Sequence, residues 1–352
     1  MRSNLIRRMT ARLSVGWLVL IIALSWFVVI SGLHYWVNFS HEDRERVLMG
    51  YMPVITNLAA PLLDYATKDG TGVRYEALKF SSFAEMGEAL RQGKIQAAFI
   101  IAPLSVVLHQ QGAGVRIVYI GNRHESTLVY RKDLSVRDFR DLAGKSIAVP
   151  LRYSGHNLCT RELAQKFGLS GADLNIVEMN PPDMASALAT GALDAYFVGE
   201  PFAAQTIRVG ESKVLYYVEQ VWPNFICNLL LVRQDFIDRK PERVQALVQA
   251  AARSGLWAKA HPQEAARIAC TYWNQPRELV EYALQTPPNR IVYDRFIPEE
   301  SEIRYMADQM VKFGLVQNNE ISGLVDARFA KNANLEGITD FKSILQPVAG
   351  RN

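Results

Sequence analysis

The feature that most restricts the fold is a segment of helix, strand and loop that occurs twice in the chain. One copy, at 179–202, reads MNPPDMASALATGALDAYFVGEPF, and the other, at 82–103, reads SFAEMGEALRQGKIQAAFIIAP. Equivalent residues lie 98 positions apart, and they include Met86 and Met184, Leu90 and Leu188, Gly93 and Gly191, Phe99 and Phe197, and Pro103 and Pro201. Because order, spacing and element type agree together, the chain is predicted to contain two α/β lobes of similar plan.

Each copy predicts an amphipathic helix, a glycine that ends it, a short apolar strand and a proline-containing loop. Open α/β sheets bind ligands beyond the carboxyl ends of their strands, where these loops lie. We therefore expect the Gly199-Glu200-Pro201 loop and the Ala102-Pro103 loop to lie on opposite sides of one cleft.

The amino-terminal segment predicts export. Arg2, Arg7, Arg8 and Arg12 precede a run at 13–30 that is apolar except for two serines and a glycine. This run is long enough to span a bilayer, and its positive charges precede it on the cytoplasmic side. We interpret 1–12 as a cytoplasmic basic segment and 13–36 as an uncleaved signal anchor. A cleaved signal peptide is the alternative.

Composition argues against several functions. The 352-residue chain has a net charge of +4 and no basic block interleaved with aromatic residues, so no nucleic-acid partner is predicted. The three cysteines (Cys159, Cys227 and Cys270) show neither metal spacing nor a CxxC pair, and the histidines are isolated. No phosphate-binding loop, nucleophile elbow or HExxH motif occurs. We expect no metal, no cofactor and no catalytic residues.

Three segments resemble the nitrate/sulfonate/bicarbonate-type solute-binding proteins of bacterial ABC importers. They are the Gly-Tyr-x-Pro opening at 50–61, the Ser-Gly-His-Asn-Leu segment at 154–158 and the Pro-Pro to Gly-Glu-Pro segment at 181–201. The resemblance covers about residues 46–315. It implies a two-lobed α/β fold of the periplasmic-binding-protein type, in which two crossing strands join the duplicated lobes.

Applied to this chain, the resemblance implies a first lobe at 46–125 and 225–315, a second at 131–222, and crossing strands at 126–131 and 224–232. The polar C-terminal tail at 316–352 is expected to be loosely packed. The implied partners are a small solute and the permease and ATPase subunits of an ABC transporter. The signal anchor, in which this chain departs from the family, predicts the inner membrane as a further partner, with the binding domain on the periplasmic side.

Candidate ligand-binding residues come from the loops that follow the strands and from the helix start at 154–158. A helix amino terminus favours negative charge, and His156 could donate to an oxyanion there. Glu200 could bind an amine or a hydroxyl, or it could pair with an arginine of its own lobe. The predicted set is Tyr51, Met52, Pro53, Thr56, Asn57, Ala102, Pro103, Ser105, Arg152, Ser154, Gly155, His156, Asn157, Glu200 and Pro201.

These observations predict a binding protein that captures a nitrate-, bicarbonate- or sulfonate-like anion by closure of its lobes. Two alternatives stay open. A ligand-sensing or partner-regulating domain would carry the same anchor, and the pyrimidine-precursor synthases of thiamine biosynthesis resemble the family in fold. The synthases use a cysteine-rich motif that this chain lacks.

Overall fold

The computed structural model describes residues 15–39 (side chains for 15–35) and residues 44–345. The chain divides into an amino-terminal unit up to Glu45 and a second unit that begins at Arg46. The described part of the first unit includes helix α1 (Val15–Phe39), whose stretch Val15–Tyr35 is long and apolar enough to cross a membrane. The predicted basic segment at 1–12 lies outside the described residues.

The second unit alternates strands and helices. Its strands are β1 (Arg46–Tyr51), β2 (Arg74–Lys79), β3 (Ala97–Ile101), β4 (Val115–Ile120), β5 (Ser126–Arg131), β6 (Ser146–Val149), β7 (Asn175–Glu178), β8 (Ala195–Gly199), β9 (Ser212–Tyr217) and β10 (Asn228–Arg233). Its helices are α2 (Ala59–Thr67), α3 (Phe83–Arg91), α4 (Ala102–Gln110), α5 (Gly155–Lys166), α6 (Pro181–Ala189), α7 (Phe202–Arg208), α8 (Gln234–Arg239), α9 (Pro241–Ala260), α10 (Pro262–Trp273), α11 (Arg277–Gln285), α12 (Glu300–Lys312) and α13 (Arg328–Lys331).

The strands form two five-stranded mixed sheets with the same plan. The first sheet has the order β2-β1-β3-β10-β4 and the second has β7-β6-β8-β5-β9. In each sheet four strands run in the same direction, and the remaining strand, β10 or β5, is antiparallel to both of its neighbours. Both antiparallel strands carry a register shift at a leucine, between Leu230 and Leu231 in one and after Leu128 in the other.

The predicted duplication matches the observed helices and strands. Helices α3 and α6 are each followed by a glycine with positive φ, Gly93 at 75° and Gly191 at 78°. A left-handed residue after a helix favours glycine, which has no Cβ to clash. The strands that follow, β3 and β8, are fully buried, as their continuous apolar sequences predict.

The two halves exchange their closing strands. Strand β5 follows the first half of the chain but lies in the second sheet, and β10 follows the second half but lies in the first sheet. The last residue of each exchanged strand is an arginine, which donates a hydrogen bond at the glycine turn of the lobe that the strand has joined. Arg131 donates to the Gly191 carbonyl at 3.2 Å, and Arg233 donates to the Leu90 carbonyl at 3.0 Å.

The crossings between the lobes lie earlier in the chain than the resemblance implied. Strand β5 belongs wholly to the second sheet and β10 wholly to the first, so the connecting segments are 121–125 and 218–227. These segments touch through an antiparallel bridge between Arg123 and Ile226. The difference arises because Ser126 and Asn228 already pair with neighbouring strands of their sheets, so only the residues before them lie between the lobes.

The C-terminal part packs against the first lobe. Helix α9 contacts α2, and α13 packs on both α9 and β4. The tail is packed more tightly than predicted up to residue 345, because Ile321, Leu324 and Phe329 are buried and Ile117 makes a parallel bridge with Val325. The isolated apolar residues of the tail therefore pack into the hydrophobic core of the first lobe. Residues 346–352 lie outside the described part of the chain.

Candidate functional site

The lobes touch where the carboxyl ends of their strands meet. The backbone N–H of Ile55, in the loop after β1, donates to the carbonyl of Glu200, after β8, at 2.9 Å. One continuous hydrophobic cluster also includes buried residues of both lobes, such as Met52 from the first and Phe202 from the second. The cleft between the lobes is therefore closed in this structure.

Buried polar side chains gather at this junction. We call them the interlobe polar cluster. They come from the loop after β1, the 121–125 crossing, the start of β5, the start of α5, the loop after β8 and the junction of the second crossing with β10. The cluster consists of Thr56, Asn57, Asn122, Glu125, Ser126, Thr127, His156, Glu200, Cys227 and Asn228, all of which are less than 5% exposed.

Two carboxylates of the cluster are joined through the backbone. The N–H of Glu200 donates to Glu125 Oε2 at 2.7 Å. Glu200 itself accepts from Thr127 Oγ1 at 2.9 Å and from the Ala204 N–H at 2.8 Å. Burial raises the pKa of both carboxyls, that of Glu200 to about 7, although nearby Arg290 opposes the rise.

His156 is held as a neutral imidazole. Its Nε2 lies 2.9 Å from Ser126 Oγ, and its ring contacts the rings of Phe197 and Phe225. Burial lowers the pKa of His156 to about 3, because this apolar environment penalises the charged imidazolium. The prediction that His156 donates a hydrogen bond near a helix start is compatible with this position. The imidazole ring, however, carries no positive charge at neutral pH.

Asparagines connect the crossing to the first lobe. Asn228 Nδ2 donates to Asn57 Oδ1 at 2.6 Å, and Asn57 Nδ2 donates to the Met52 carbonyl at 3.1 Å. The Cys227 thiol lies 3.3 Å from Asn228 Oδ1 and 3.9 Å from His156 Nε2. Burial, followed by the adjacent Glu125 carboxylate, raises the pKa of Cys227, so the thiol is a neutral part of the network.

Arg290 joins the first lobe to the second through hydrogen bonds and an ion pair. It follows α11 and donates from Nε to Glu219 at 2.9 Å and from Nη1 to Thr127 Oγ1 at 3.0 Å, and Nη2 donates to the Ser126 carbonyl. Its guanidinium also stacks over the Tyr217 ring, 4.3 Å from the centroid. The Arg290 side chain is only 5% exposed, so solvent screens this contact poorly.

Several of the predicted binding residues form hydrogen bonds within their own lobes. The Tyr51 hydroxyl donates to the Tyr272 carbonyl at 3.2 Å, and Ser105 bonds back to Ala102 within α4. Ser154 caps α5 through the Asn157 N–H at 3.1 Å, and Asn157 in turn donates to the Arg152 carbonyl. Arg152 has an exposed side chain and lies over the Tyr153 ring.

The other predicted residues are buried at the junction. Thr56, Asn57, His156 and Glu200 belong to the interlobe polar cluster, and Ala102 donates its N–H to the Cys227 carbonyl at 2.9 Å. The remaining apolar or glycine positions are also buried: Met52, Pro53, Pro103, Gly155 and Pro201.

The sequence-based prediction missed the residues that the crossings contribute. Glu125, Ser126 and Thr127 precede or begin β5, and Cys227 and Asn228 stand at the equivalent position of β10. A usable signal was present, because polar residues open two strands that are otherwise apolar. Arg290 gave no local signal, since it lies between two segments that the pattern leaves irregular.

Metal binding finds no support at this junction. Within residues 15–39 and 44–345, no group of three or more His, Cys, Asp or Glu side chains is placed to hold a metal ion. The cysteines in that part of the chain are free thiols.

Comparisons with known proteins agree with this architecture. The chain is 27% identical to a putative aliphatic sulfonates-binding protein of Bacillus subtilis, over 74% of this chain and 79% of that protein. It is 26% identical to the taurine-binding periplasmic protein of Escherichia coli, over 71% and 84%. The crystal structure of the periplasmic nitrate-binding protein of Synechocystis superposes with a TM-score of 0.74, at 16% identity, over 82% of this chain and 88% of that chain.

The fold prediction is confirmed, because the chain superposes on this periplasmic nitrate-binding protein and forms two mixed α/β sheets. The sequence itself matches a family description over residues 40–273, which is more than half of the chain. The chain belongs to the NMT1-like family.

Proposed function

We propose that this chain is a membrane-anchored, extracytoplasmic solute-binding protein of an ABC importer. It captures a small solute of the nitrate, bicarbonate or sulfonate class between its lobes and does so without chemistry. Closure of the lobes stabilises the complex, because the solute contacts both lobes only in the closed form. Permease and ATPase subunits then receive the solute at the inner membrane.

The interlobe polar cluster is the observation that carries the proposal. It places buried hydrogen-bonding groups from both lobes and both crossings at the carboxyl ends of the strands, where open α/β sheets bind ligands. Buried polar groups are costly unless they are partnered, so their concentration at one junction supports a binding role. The names of the relatives, which are binding proteins, also support it.

Helix α1 supports the anchor. Its stretch Val15–Tyr35 is long and apolar enough to span a bilayer, and four arginines precede it in the sequence. A cleaved signal sequence passes the same test of length and composition. Immunoblotting of membrane fractions with an antibody against residues 1–12 distinguishes the two, because a cleaved protein loses this epitope.

A thermal-shift titration of residues 46–352 tests solute binding. Potassium nitrate, bicarbonate, ethanesulfonate and taurine are compared with potassium chloride at equal ionic strength. A ligand at 100 times its Kd raises the free energy of unfolding by about 2.7 kcal/mol, which raises Tm by several degrees. If no solute in this panel shifts Tm beyond the chloride control, the proposal is wrong.

A sensing or partner-regulating role is the second candidate, and the anchoring helix favours it as much as transport. Detergent extraction and affinity purification of the full chain separate the two. Copurification of an ATPase and a permease supports import, whereas their absence together with recovery of a different membrane partner supports regulation.

A further inference from the structure

Arg123 ties the first crossing to the first lobe. Its backbone exchanges two hydrogen bonds with Val292, at 3.0 and 3.2 Å. Its buried side chain donates to the Arg295 carbonyl at 3.0 Å and to both carboxylate oxygens of Glu302 at 2.8 and 2.9 Å. Glu302 lies in α12, which packs on α4 of the first lobe. A bidentate ion pair fixes geometry as well as distance, so the crossing moves with the first lobe up to Arg123.

The same crossing joins the second lobe only two residues later. The Glu125 carbonyl accepts from the Glu200 N–H at 3.2 Å, and the Glu125 carboxylate accepts from the same N–H at 2.7 Å. A Cβ added at Gly199 would lie 2.8 Å from this carboxylate, so Glu125 packs against the end of β8. From Glu125 onward the chain moves with the second lobe. His124 alone separates the two sets of contacts.

The backbone of the second crossing divides at Pro223. Before this residue, the Trp222 N–H donates to the Val218 carbonyl at 2.8 Å, and Val218 is buried in the hydrophobic cluster of the second lobe. After it, the Asn224 carbonyl accepts from Arg123 Nη1 at 2.8 Å. The arginine that holds the first crossing therefore also holds the second crossing to the first lobe.

Two aromatic contacts reach across this division. The Trp222 ring packs on Tyr305 of α12, with ring centroids 5.1 Å apart, and the Phe225 ring contacts His156 of the second lobe at 5.6 Å. Both contacts are made by side chains, which can repack when the backbone beside them turns. They stabilise the closed form, and we expect them to shift or break when the lobes separate.

His124 and Pro223, the residues at the two divisions, touch each other. Nε2 of His124 donates to the Pro223 carbonyl, because a carbonyl can only accept. His124 also has a φ of 69°, in the left-handed region, where a residue with a Cβ is strained. Hinges are a few residues that absorb large changes in φ and ψ between rigid segments. A strained residue between two anchored neighbours has this position.

We propose that the lobes turn about His124 and Pro223, and that closure holds His124 in a strained left-handed conformation, which relaxes to negative φ when the lobes open. The inference rests on the proposed capture by closure. It adds where the chain bends and which residue opposes closing. It also divides the interlobe polar cluster, because Asn122 moves with the first lobe and Glu125 moves with the second.

A matched pair of substitutions isolates the backbone strain. His124→Ala and His124→Gly both remove the imidazole and its hydrogen bond to Pro223, and the two variants differ only in the Cβ. Glycine adopts positive φ as readily as negative φ, whereas alanine is strained there. We expect the ratio of closed to open molecules to be at least about fivefold higher in His124→Gly than in His124→Ala.

Pulsed electron–electron double resonance on the full chain in detergent micelles measures this ratio. Spin labels at Lys94→Cys and Ala189→Cys, which are exposed positions of the first and second lobes, report the interlobe distance. Cys270→Ser removes the partly exposed native thiol. Each protein is measured without solute and with nitrate, ethanesulfonate or taurine.

A second pair tests the position of the hinge. Asn274 also has positive φ, 55°, but it ends α10 within the first lobe. Asn274→Ala and Asn274→Gly should therefore give equal ratios of closed to open molecules. A difference between them as large as the difference at His124 would mean that relief of strain anywhere in the chain shifts the lobes, which overturns the assignment of the hinge.

The outcomes separate this inference from the proposed function. Equal ratios in His124→Ala and His124→Gly, in a protein that a solute closes, overturn the strained hinge and leave solute capture standing. A higher ratio in His124→Gly that no solute changes supports the hinge and contradicts capture of these solutes. A single interlobe distance in the wild type and both variants, unchanged by every solute, overturns both.

Discussion

At the scale of single residues, burial determines the chemistry of the junction. Glu200 and His156 are both less than 5% exposed, and burial moves their pKa values in opposite directions, up for the acid and down for the base. His156 is therefore neutral at neutral pH, whereas Glu200 exchanges its proton at about pH 7. The closed cleft brings these groups together, and two buried arginines form ion pairs near them, Arg290 with Glu219 and Arg123 with Glu302.

Glu200→Gln should change how stability depends on pH. The pKa of Glu200 rises from 4.5 to about 7 in the folded chain, mainly through burial. Its contribution is therefore fully present below pH 4.5 and is lost as pH rises through about 7. The variant lacks this loss, so relative to the wild type its free energy of unfolding should increase by up to about 3 kcal/mol across this window.

Urea denaturation of both proteins between pH 4.5 and 8 gives the difference curve. Because His156 is present in both, its opposite contribution, in which stability is lost as pH falls below 6.5, cancels. The exposed carboxylate Glu85, changed to Gln, is the matched control. A difference curve that is flat for Glu200→Gln would show that this carboxyl does not titrate in the folded chain near neutral pH.

At the scale of elements, close backbone contacts position the loop after β1. A Cβ added at Gly121 would lie 2.2 Å from the Thr56 carbonyl oxygen, so the 121–125 crossing and this loop pack backbone to backbone. In addition, Asn122 holds the adjacent Ile55 carbonyl. The loop therefore depends on a glycine in a crossing about 65 residues away, counted between Thr56 and Gly121.

Gly121→Ala should destabilise the protein by about 1–3 kcal/mol, because a backbone oxygen cannot move aside as a flexible side chain can. Binding should also weaken, since Thr56 and Asn57 shift with the loop. Chemical denaturation and calorimetry measure the two effects.

Gly87→Ala, within α3, is the matched control. There the added Cβ would make ordinary contacts at 3.5–3.6 Å with Leu104, Leu108 and Ile100. Alanine is the better helix former by about 0.5–1 kcal/mol, so this variant should be at least as stable as the wild type. Equal effects of the two substitutions would contradict the role assigned to the 121–125 crossing.

At the scale of the whole binding unit, polar contacts between the lobes stabilise closure together with the shared hydrophobic cluster. Besides the Arg290 contacts, Tyr305 of α12 donates to Glu162 of α5 at 3.0 Å, and Gln205 of α7 donates to Gln275 at 3.1 Å. In the described part of this unit, two segments alone, 121–125 and 218–227, connect the sheets, and we expect the lobes to separate when these contacts break. Open and closed forms of such a unit differ in radius of gyration, which solution scattering measures.

Arg290→Met should shift residues 46–352 toward the open form. The substitution leaves Glu219 and the Thr127 hydroxyl without their donor, and loss of one partner of a buried ion pair costs about 3–5 kcal/mol. Small-angle scattering should show a larger radius of gyration in the variant, and a saturating ligand should restore the wild-type value only in part.

Arg91→Met, which removes an exposed pair with Glu88 on α3, is the control and should leave the scattering curve unchanged. An Arg290→Met variant with the wild-type radius of gyration would mean that closure does not depend on this arginine.

The sequence by itself determined the elements and their repetition. Short apolar runs such as β3 and β8, which lie between a glycine turn and a proline, indicate buried strands, and the glycines at 93 and 191 end their helices because they adopt positive φ. These signals are local, so they survive in a single sequence. The prolines and glycines that bound these elements, together with the 98-residue offset, then predicted two equivalent lobes and the loops that meet at the cleft.

Only the tertiary structure decided which side chains occupy the junction. Tyr51, Ser105 and Asn157 were predicted to bind ligand from their loop positions, but their side chains bond within their own lobes. Glu125 reaches the junction because its crossing leads into β5 of the second sheet, and Arg290 reaches it from the segment after α11. Hydrogen bonding and burial depend on neighbours brought together by folding, and no spacing along one chain encodes those neighbours.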